Sequence, residues 1–235
     1  SADGLILVET GLGLADIRDP DGTLGADWVQ TTQPRLGEEE TAIRQVARLG
    51  YSPDDVRHII LTHLDGDHCG GLPDFPDAQV HVLAAELAAA AAQAPSYRYR
   101  SAHWAHGPKW AAYTPEQGEE WFGFTSIQPE GLTPDIRLIP LGGHTAGHAG
   151  VAVRDGDRWL LHCGDAYYYH RELEPVPQPH PMLDIVQTRS EVHRDLRLGT
   201  QARLRELVRD HGDEVSVFTA HDPWELDQSI NSPRA

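Results

Sequence analysis

The chain has 235 residues, 40 % of them hydrophobic and 23 % charged, and this length and composition fit one large globular domain. Its 19 basic and 36 acidic residues give a formal net charge of -17, and a field of that sign repels phosphate backbones and anionic lipid. The sequence also has no apolar run near the ~20 residues that a bilayer requires. These properties count against nucleic acid and membranes as partners.

Strand and helix patterns alternate through the first half of the chain. The aliphatic run Leu5–Val8 predicts a buried strand that opens the chain. An amphipathic helix is expected over residues 38–49, and a second buried strand over residues 58–61. A third strand, Gln79–Leu83, leads into an alanine-rich helix over residues 84–92.

The stretch 95–134 differs from what precedes it, because it holds eight of the seventeen aromatic residues without clear periodicity. We expect an elaborated loop or cap. Two interpretations of its rings stay open, since they either line an apolar pocket or fasten a long loop to the core. The side chains in question are Trp104, Trp110, Trp121, His103 and His106.

Strand patterns return after this stretch. Strands are expected over residues 136–141, 151–154 and 158–162, and the sequence Asp155-Gly156-Asp157 predicts a hairpin between the last two. A long amphipathic helix over residues 191–211 and a strand over 215–219 complete the pattern.

Side chains that can bind metal are concentrated in the run His63-Leu64-Asp65-Gly66-Asp67-His68, where four fall within six residues. Directly after a strand, this spacing lets imidazoles and carboxylates converge from one loop. Farther along the chain, His144, Asp165 and His221 each follow an apolar strand. Because sites in sheet proteins collect where strands end, the four segments are able to meet at one edge.

These motifs resemble the metallo-β-lactamase superfamily, whose signature is His-x-His-x-Asp-His followed by a later His, an Asp and a final His. The resemblance covers nearly the whole chain, and the Gly-His-Thr-x-Gly-His stretch around His144 strengthens it. It implies an α/β fold, namely a four-layer αββα sandwich of two mixed sheets flanked by helices. We expect one domain over residues 1–235, with 95–134 as a cap inserted in it, and one or two family strands missing before Leu5.

The resemblance further implies a dinuclear metal centre. Two divalent cations are expected, zinc first, with manganese or iron as alternatives. The implied ligands are His63, Asp65 and His144 for one ion, Asp67, His68 and His221 for the other, and Asp165 as the bridge between them.

Two positions depart from the family pattern. Asp65 stands where the family has its second histidine, so an anionic oxygen replaces a neutral nitrogen and makes the site harder and more negative. Glu9 stands where the family commonly has Asp before Thr-Gly, and we expect it to hydrogen-bond to a metal ligand without binding the metal itself. We expect His148 to brace its loop instead of binding metal.

The cysteines, Cys69 and Cys163, flank candidate ligands but are interpreted as small buried residues. Two cysteines make no disulfide framework, and the first residues show neither a leader pattern nor a lipidation motif. A cytoplasmic protein is therefore expected.

The leading hypothesis for function is a hydrolase of small carbonyl esters, that is lactones, carboxylic esters or thioesters, in which a metal-bridging hydroxide attacks the carbonyl carbon. Asp67 or a metal-bound water is expected to carry the proton. In the lactonases of the superfamily a tyrosine three residues beyond the bridging Asp polarises the substrate carbonyl, and this offset assigns that role to Tyr168. The expected partner is a small-molecule substrate, and the expected assembly is a monomer or homodimer.

The alternative is an iron-dependent oxidoreductase of the same fold, either a di-iron reductase or a sulfur dioxygenase. Di-iron relatives carry a carboxylate at the position of Asp65, but they also carry a fused flavin domain, which we do not expect here. A β-lactam hydrolase is less favoured because nothing indicates export, and a nuclease is disfavoured by the net charge of -17. A degenerate relative without metal is the remaining interpretation.

Overall fold

A computed structural model describes residues 4–231, which fall into two compact units on either side of residue 112. Each unit contains its own four-stranded sheet, and a two-stranded hairpin accompanies the second. Within this described range, no helix combines the length and the apolarity needed to cross a membrane.

The first unit is built on a sheet in the order β1-β2-β3-β4. The β1–β2 and β2–β3 pairs are parallel, and parallel neighbours require crossover connections, which helices supply here. The strands are β1 (Leu5–Val8), β2 (Val56–Ile60), β3 (Gln79–Leu83) and β4 (Lys109–Tyr113). The helices are α1 (Leu14–Arg18), α2 (Ala26–Thr32), α3 (Ala42–Arg48), α4 (Gly66–Cys69) and α5 (Ala84–Gln93).

Strand β2 explains where this unit places its polar loop. Ile59 and Ile60 are both fully buried, as expected for a parallel strand covered on both faces. The burial continues into Leu61 and Leu64, which lie in the core beyond the end of the strand. Leu61 and Leu64 therefore anchor the chain that follows β2, and the polar residues Thr62 and His63 lie between them.

The second unit has a mixed sheet in the order β10-β9-β8-β7. The β7–β8 and β8–β9 pairs are antiparallel, and β9–β10 is parallel. The strands are β7 (Ile136–Pro140), β8 (Ala149–Asp155), β9 (Arg158–His162) and β10 (Val215–Phe218), with β5 (Glu119–Trp121) and β6 (Phe124–Ser126) forming the hairpin. The helices are α6 (Pro181–Ser190), α7 (Arg194–His211) and α8 (Pro223–Asn231).

The predicted strands are confirmed with small shifts of their ends, and β3 matches its predicted bounds. The predicted hairpin is also confirmed, because Asp155 pairs with Arg158 across a turn in which Gly156 has a φ of 62°. The helix expected over residues 38–49 is broken. Thr41 has the extended angles φ -67° and ψ 147°, so a short 3-10 turn precedes α3.

The aromatic stretch 95–134 contains the strands β4, β5 and β6. Trp104 and Trp110 pack against the core of the first unit. Trp121 lies in the core of the second unit, edge to face with Trp159 at 5.6 Å between ring centroids. For these tryptophans the contacts favour fastening of the chain over the lining of a pocket, whereas the function of the stretch as a cap stays a prediction.

Candidate metal centre

The loop after β2 brings four candidate ligands together within the first unit. The rings of His63 and His68 lie 4.0 Å apart between centroids, and both side chains are buried. His63 Nε2 lies 3.5 Å from Asp65 Oδ2, and His68 Nε2 lies 3.9 Å from Asp67 Oδ2. The short helix α4 starts directly after Asp65, and Asp67 and His68 lie on its single turn.

Each imidazole of this cluster is held by a polar group on its Nδ1 side. The Thr62 hydroxyl lies 2.8 Å from His63 Nδ1. His68 Nδ1 donates to the Glu9 carboxylate, which also accepts the backbone N–H of Thr62. A carboxylate that accepts from Nδ1–H fixes the tautomer and places the lone pair on Nε2, where a metal binds. Glu9 thus makes the hydrogen bond to His68 that its predicted supporting function requires.

Asp65, the unusual residue of the motif, is engaged by an arginine. Arg98 Nη1 donates to both carboxylate oxygens of Asp65, at 2.8 Å to Oδ1 and 2.6 Å to Oδ2. Burial by itself lowers the pKa of the Arg98 guanidinium, but the adjacent Asp65 carboxylate offsets this, and the pKa stands above its ordinary value. Sequence reasoning missed Arg98, because nothing near the motif signals a partner 33 residues away.

Buried polar groups also fasten this loop from beneath. Glu86 of α5 accepts the backbone N–H of Leu64 and the hydroxyl of Tyr99, both at 3.1 Å. Under the loop, Asp16 lies against His103, with 2.8 Å between Oδ1 and Nε2. A Cβ at Gly70 would lie 2.2 Å from an Asp16 carboxylate oxygen. The same Cβ would lie 2.6 Å from the backbone oxygen of Gly66, so this position requires glycine.

The second unit forms its own cluster around Asp165. His162 of β9 pairs with Phe218 of β10, and Asp165 and His221 each stand three residues beyond these paired positions. Asp165 Oδ1 lies 3.2 Å from His221 Nε2, while Asp165 Oδ2 lies 3.4 Å from His144 Nε2. Each oxygen of the buried carboxylate therefore faces a different imidazole, which is the arrangement that a bridging carboxylate needs.

Two further side chains complete this second cluster. His148 Nδ1 donates to the carbonyl of Leu141, and His148 Nε2 accepts the backbone N–H of Asp165, both at 2.9 Å. Since both ring nitrogens hold backbone groups, the predicted bracing function of His148 is confirmed. Tyr168 is buried, and its hydroxyl donates to Asp165 Oδ2 at 2.9 Å.

The donor atoms fit divalent cations. Two ligand atoms that each lie about 2.0 to 2.2 Å from a tetrahedral zinc ion are about 3.3 to 3.6 Å apart. The distances within the pairs His63–Asp65, His144–Asp165 and His221–Asp165 are 3.5, 3.4 and 3.2 Å. Imidazole nitrogen and carboxylate oxygen are ligands that suit zinc, manganese and iron.

Cys69 and Cys163 are fully buried, and burial raises the pKa of both thiols well above the ordinary value, as expected for structural cysteines.

Comparison with known proteins decides the family. The family model described as the metallo-beta-lactamase superfamily matches residues 1–226. The chain belongs to the metallo-β-lactamase superfamily. A protein of Mycobacterium tuberculosis described as a probable metallo-hydrolase is 44 % identical over 226 residues, a match that covers 94 % of this chain and 72 % of that protein. An N-acyl homoserine lactonase of Bacillus thuringiensis is 34 % identical over 223 residues, covering 94 % and 77 % of the two chains.

Solved structures show the same fold. An N-acyl homoserine lactone hydrolase, determined with the product N-hexanoyl-L-homoserine at its catalytic metal centre, aligns with a TM-score of 0.72 and 23 % identity. The alignment covers 97 % of this chain and 80 % of that one. The predicted metallo-β-lactamase fold is thereby confirmed. Together with its relatives, this identifies the chain as a metallo-hydrolase of that fold.

Proposed function

We propose that the protein is a dinuclear metal-dependent hydrolase of small carbonyl esters, with lactones as the first substrate class to test. The observation that carries the proposal is the pair of oxygens on Asp165, which face separate imidazoles at 3.4 and 3.2 Å. These distances are close to the separation of two ligand atoms around one tetrahedral zinc ion. The lactonase from Bacillus thuringiensis, which is 34 % identical to this chain, supports the choice of lactones.

In this proposal the ligands are those implied by the family motif. Its support lies in the two clusters, each of which presents Nε2 atoms beside carboxylate oxygens. One ion takes His63, Asp65 and His144, the second takes Asp67, His68 and His221, and Asp165 is shared. Zinc is the proposed metal, with manganese or iron as the alternatives.

Two side chains are proposed to act on the substrate. When bound, paired divalent ions lower the pKa of water and polarise a carbonyl oxygen. Asp67 is the more exposed carboxylate of the first cluster, with 34 % of its side chain accessible, and we assign it the proton that moves from the attacking water to the leaving alcohol. Tyr168 holds its hydroxyl at the Asp165 carboxylate, from which it can donate instead to a substrate oxygen on which negative charge develops.

The relatives favour hydrolysis over the alternative of an iron oxidoreductase, since the mycobacterial relative is described as a probable metallo-hydrolase and the Bacillus relative as a lactonase. A small-molecule substrate is consistent with the product bound in the related lactone hydrolase. The cytoplasmic location, the absence of nucleic acid and membrane partners, and the monomeric or homodimeric assembly stay predictions.

The test is a hydrolysis panel with protein stripped of metal by a chelator and then reloaded with zinc or manganese. We expect turnover of an N-acyl homoserine lactone, followed as released acid, and no turnover by the stripped protein. An aryl ester and a thioester with the same acyl chain are included in the panel. The relative rates on the three substrates show which leaving group the enzyme prefers. If the protein loaded with zinc or manganese hydrolyses none of the three classes, the proposed function is wrong.

A further inference from the structure

The Asp65–Arg98 ion pair is a feature that the proposed function does not use. Both side chains are mostly enclosed, with 17 % and 15 % of their surfaces exposed. Truncating one partner of such a pair leaves the other charge buried and unneutralised, so the pair is costly to disturb. Because Asp65 is a candidate ligand, the ion pair affects metal affinity: a carboxylate that a guanidinium already neutralises attracts a cation less strongly.

The geometry permits Asp65 to serve both charges. Nη1 of Arg98 contacts both oxygens, and each carboxylate oxygen has two lone pairs. Asp65 Oδ2 accepts from Arg98 and is also the oxygen that lies 3.5 Å from His63 Nε2. Arginine stays protonated at every working pH, so its charge is a constant of the site.

The local charge shows what Arg98 changes. Glu9, Asp65 and Asp67 place three carboxylates around His63 and His68. With Asp65 alone in place of an imidazole, the loop would gain one negative charge and favour hard cations such as manganese. The positive charge of Arg98 cancels that addition, and the pair presents oxygen ligands with the net charge of a neutral histidine.

We propose that Arg98, acting through Asp65, sets metal selectivity: it cancels the charge of the carboxylate beside His63, so that zinc stays favoured over manganese. This inference rests on the proposed metal site. It assigns Arg98 an effect on affinity that is opposite to that of an ordinary structural ion pair, since loss of Arg98 strengthens cation binding.

The experiment measures the dissociation constants of zinc and manganese by competition with a chelating dye, using the full chain stripped of metal. For Arg98→Gln we expect manganese to bind about tenfold more tightly, with a smaller gain for zinc, because the uncovered carboxylate favours the harder ion. Arg98→Lys keeps a positive charge beside the Asp65 carboxylate, so we expect both affinities to stay within about threefold of the wild type.

Arg100→Gln is the matched control. Arg100 lies two residues away and pairs with the exposed Asp27 at 3.3 Å, so its replacement removes the same charge from the same segment. We expect both affinities to stay within about twofold of the wild type, since the Arg100 guanidinium contacts Asp27 and the ring of Tyr97, and neither is a candidate ligand.

A second pair of variants keeps the inference testable if Arg98→Gln does not fold. Asp65→His alone sets an imidazole against the guanidinium, and we expect zinc affinity to fall by about tenfold, because a positive charge then opposes the ion without compensation. Adding Arg98→Gln to Asp65→His is expected to restore it. Equal affinities in the single and double variants would overturn the inference.

The outcomes separate this inference from the proposed function. If the wild type binds neither metal, both are wrong. If the wild type binds metal but Arg98→Gln matches Arg100→Gln, or binds manganese more weakly than the wild type does, the ion pair is only structural and this inference alone is wrong.

Discussion

The two ligand clusters of this protein are built in different ways. In the first unit, four candidate ligands come from one loop of six residues, and the loop depends on side chains from distant parts of the chain, among them Glu9 and Glu86. In the second unit, His144, Asp165 and His221 come from three separate loops, and one buried carboxylate organises them. The candidate ligands of the first cluster are thus close together in sequence and are held by residues far along the chain. Those of the second cluster are far apart in sequence and meet at one carboxylate.

Replacing that centre is expected to have the largest effect. In Asp165→Ala, His144 and His221 lose the carboxylate that both of them face, so we expect loss of paired metal binding and of hydrolytic activity. Elemental analysis and the lactone assay measure this. Asp210→Ala, which removes an exposed carboxylate from the ion pair with Arg209, serves as the control and should keep both. Wild-type turnover in Asp165→Ala would show that the second cluster is not the centre of the site.

Tyr168→Phe separates catalysis from binding in the second cluster. The hydroxyl donates to Asp165 and is proposed to stabilise the developing oxyanion, so its removal is expected to lower kcat by about 10²-fold. Metal content should not change, because the phenol is not a proposed ligand. An unchanged kcat would leave Tyr168 as a packing residue only.

Glu9→Gln tests the remote support of the first cluster. An amide in place of the carboxylate weakens the hydrogen bond from His68 Nδ1, and loss of such support typically lowers metal affinity by about 10 to 100-fold. Dye competition measures the affinity, with Glu40→Gln as an exposed control from the same unit. Equal affinities of Glu9→Gln and wild type would mean that the loop holds its ligands without help.

The last prediction concerns the stability of the first unit in acid and leaves metal binding and catalysis aside. Burial, and then the nearby His58 ring, lower the pKa of His81 to about 4. Because the unfolded chain takes up this proton near pH 6.5 and the folded chain only near pH 4, His81 lowers the free energy of unfolding as pH falls through that window, by about 1.4 kcal/mol for each unit of pKa difference. Urea unfolding of stripped protein at several pH values measures it. His81→Asn should flatten the dependence, while the exposed His211→Asn should not.

Sequence patterns predicted the strands well because buried strands consist of consecutive apolar residues, as in Ile59, Ile60 and Leu61. They missed α6, whose apolar residues Met182, Ile185 and Val186 are exposed and therefore follow no core-facing period. They also predicted one helix over residues 38–49, where Thr41 is extended and stands at the N-terminal boundary of α3.

The candidate site shows the same limit. The short spacing of the loop motif and the family resemblance named the residues of both clusters, and Glu9 and His148 are found in the supporting positions predicted for them. The contacts of Glu86 with Leu64, and of Arg98 with Asp65, span 22 and 33 residues. Such pairings arise only when the chain folds, so no local pattern in the sequence signals them.

The central claim is that this hydrolase holds two divalent ions, and elemental analysis of metal-replete protein tests it most directly. Zinc, manganese and iron are counted per chain after removal of loosely bound metal. We predict close to two ions per chain, zinc or manganese, in colourless protein. Close to two iron ions in coloured protein would instead favour the iron-dependent oxidoreductase, and a count near zero would contradict the account.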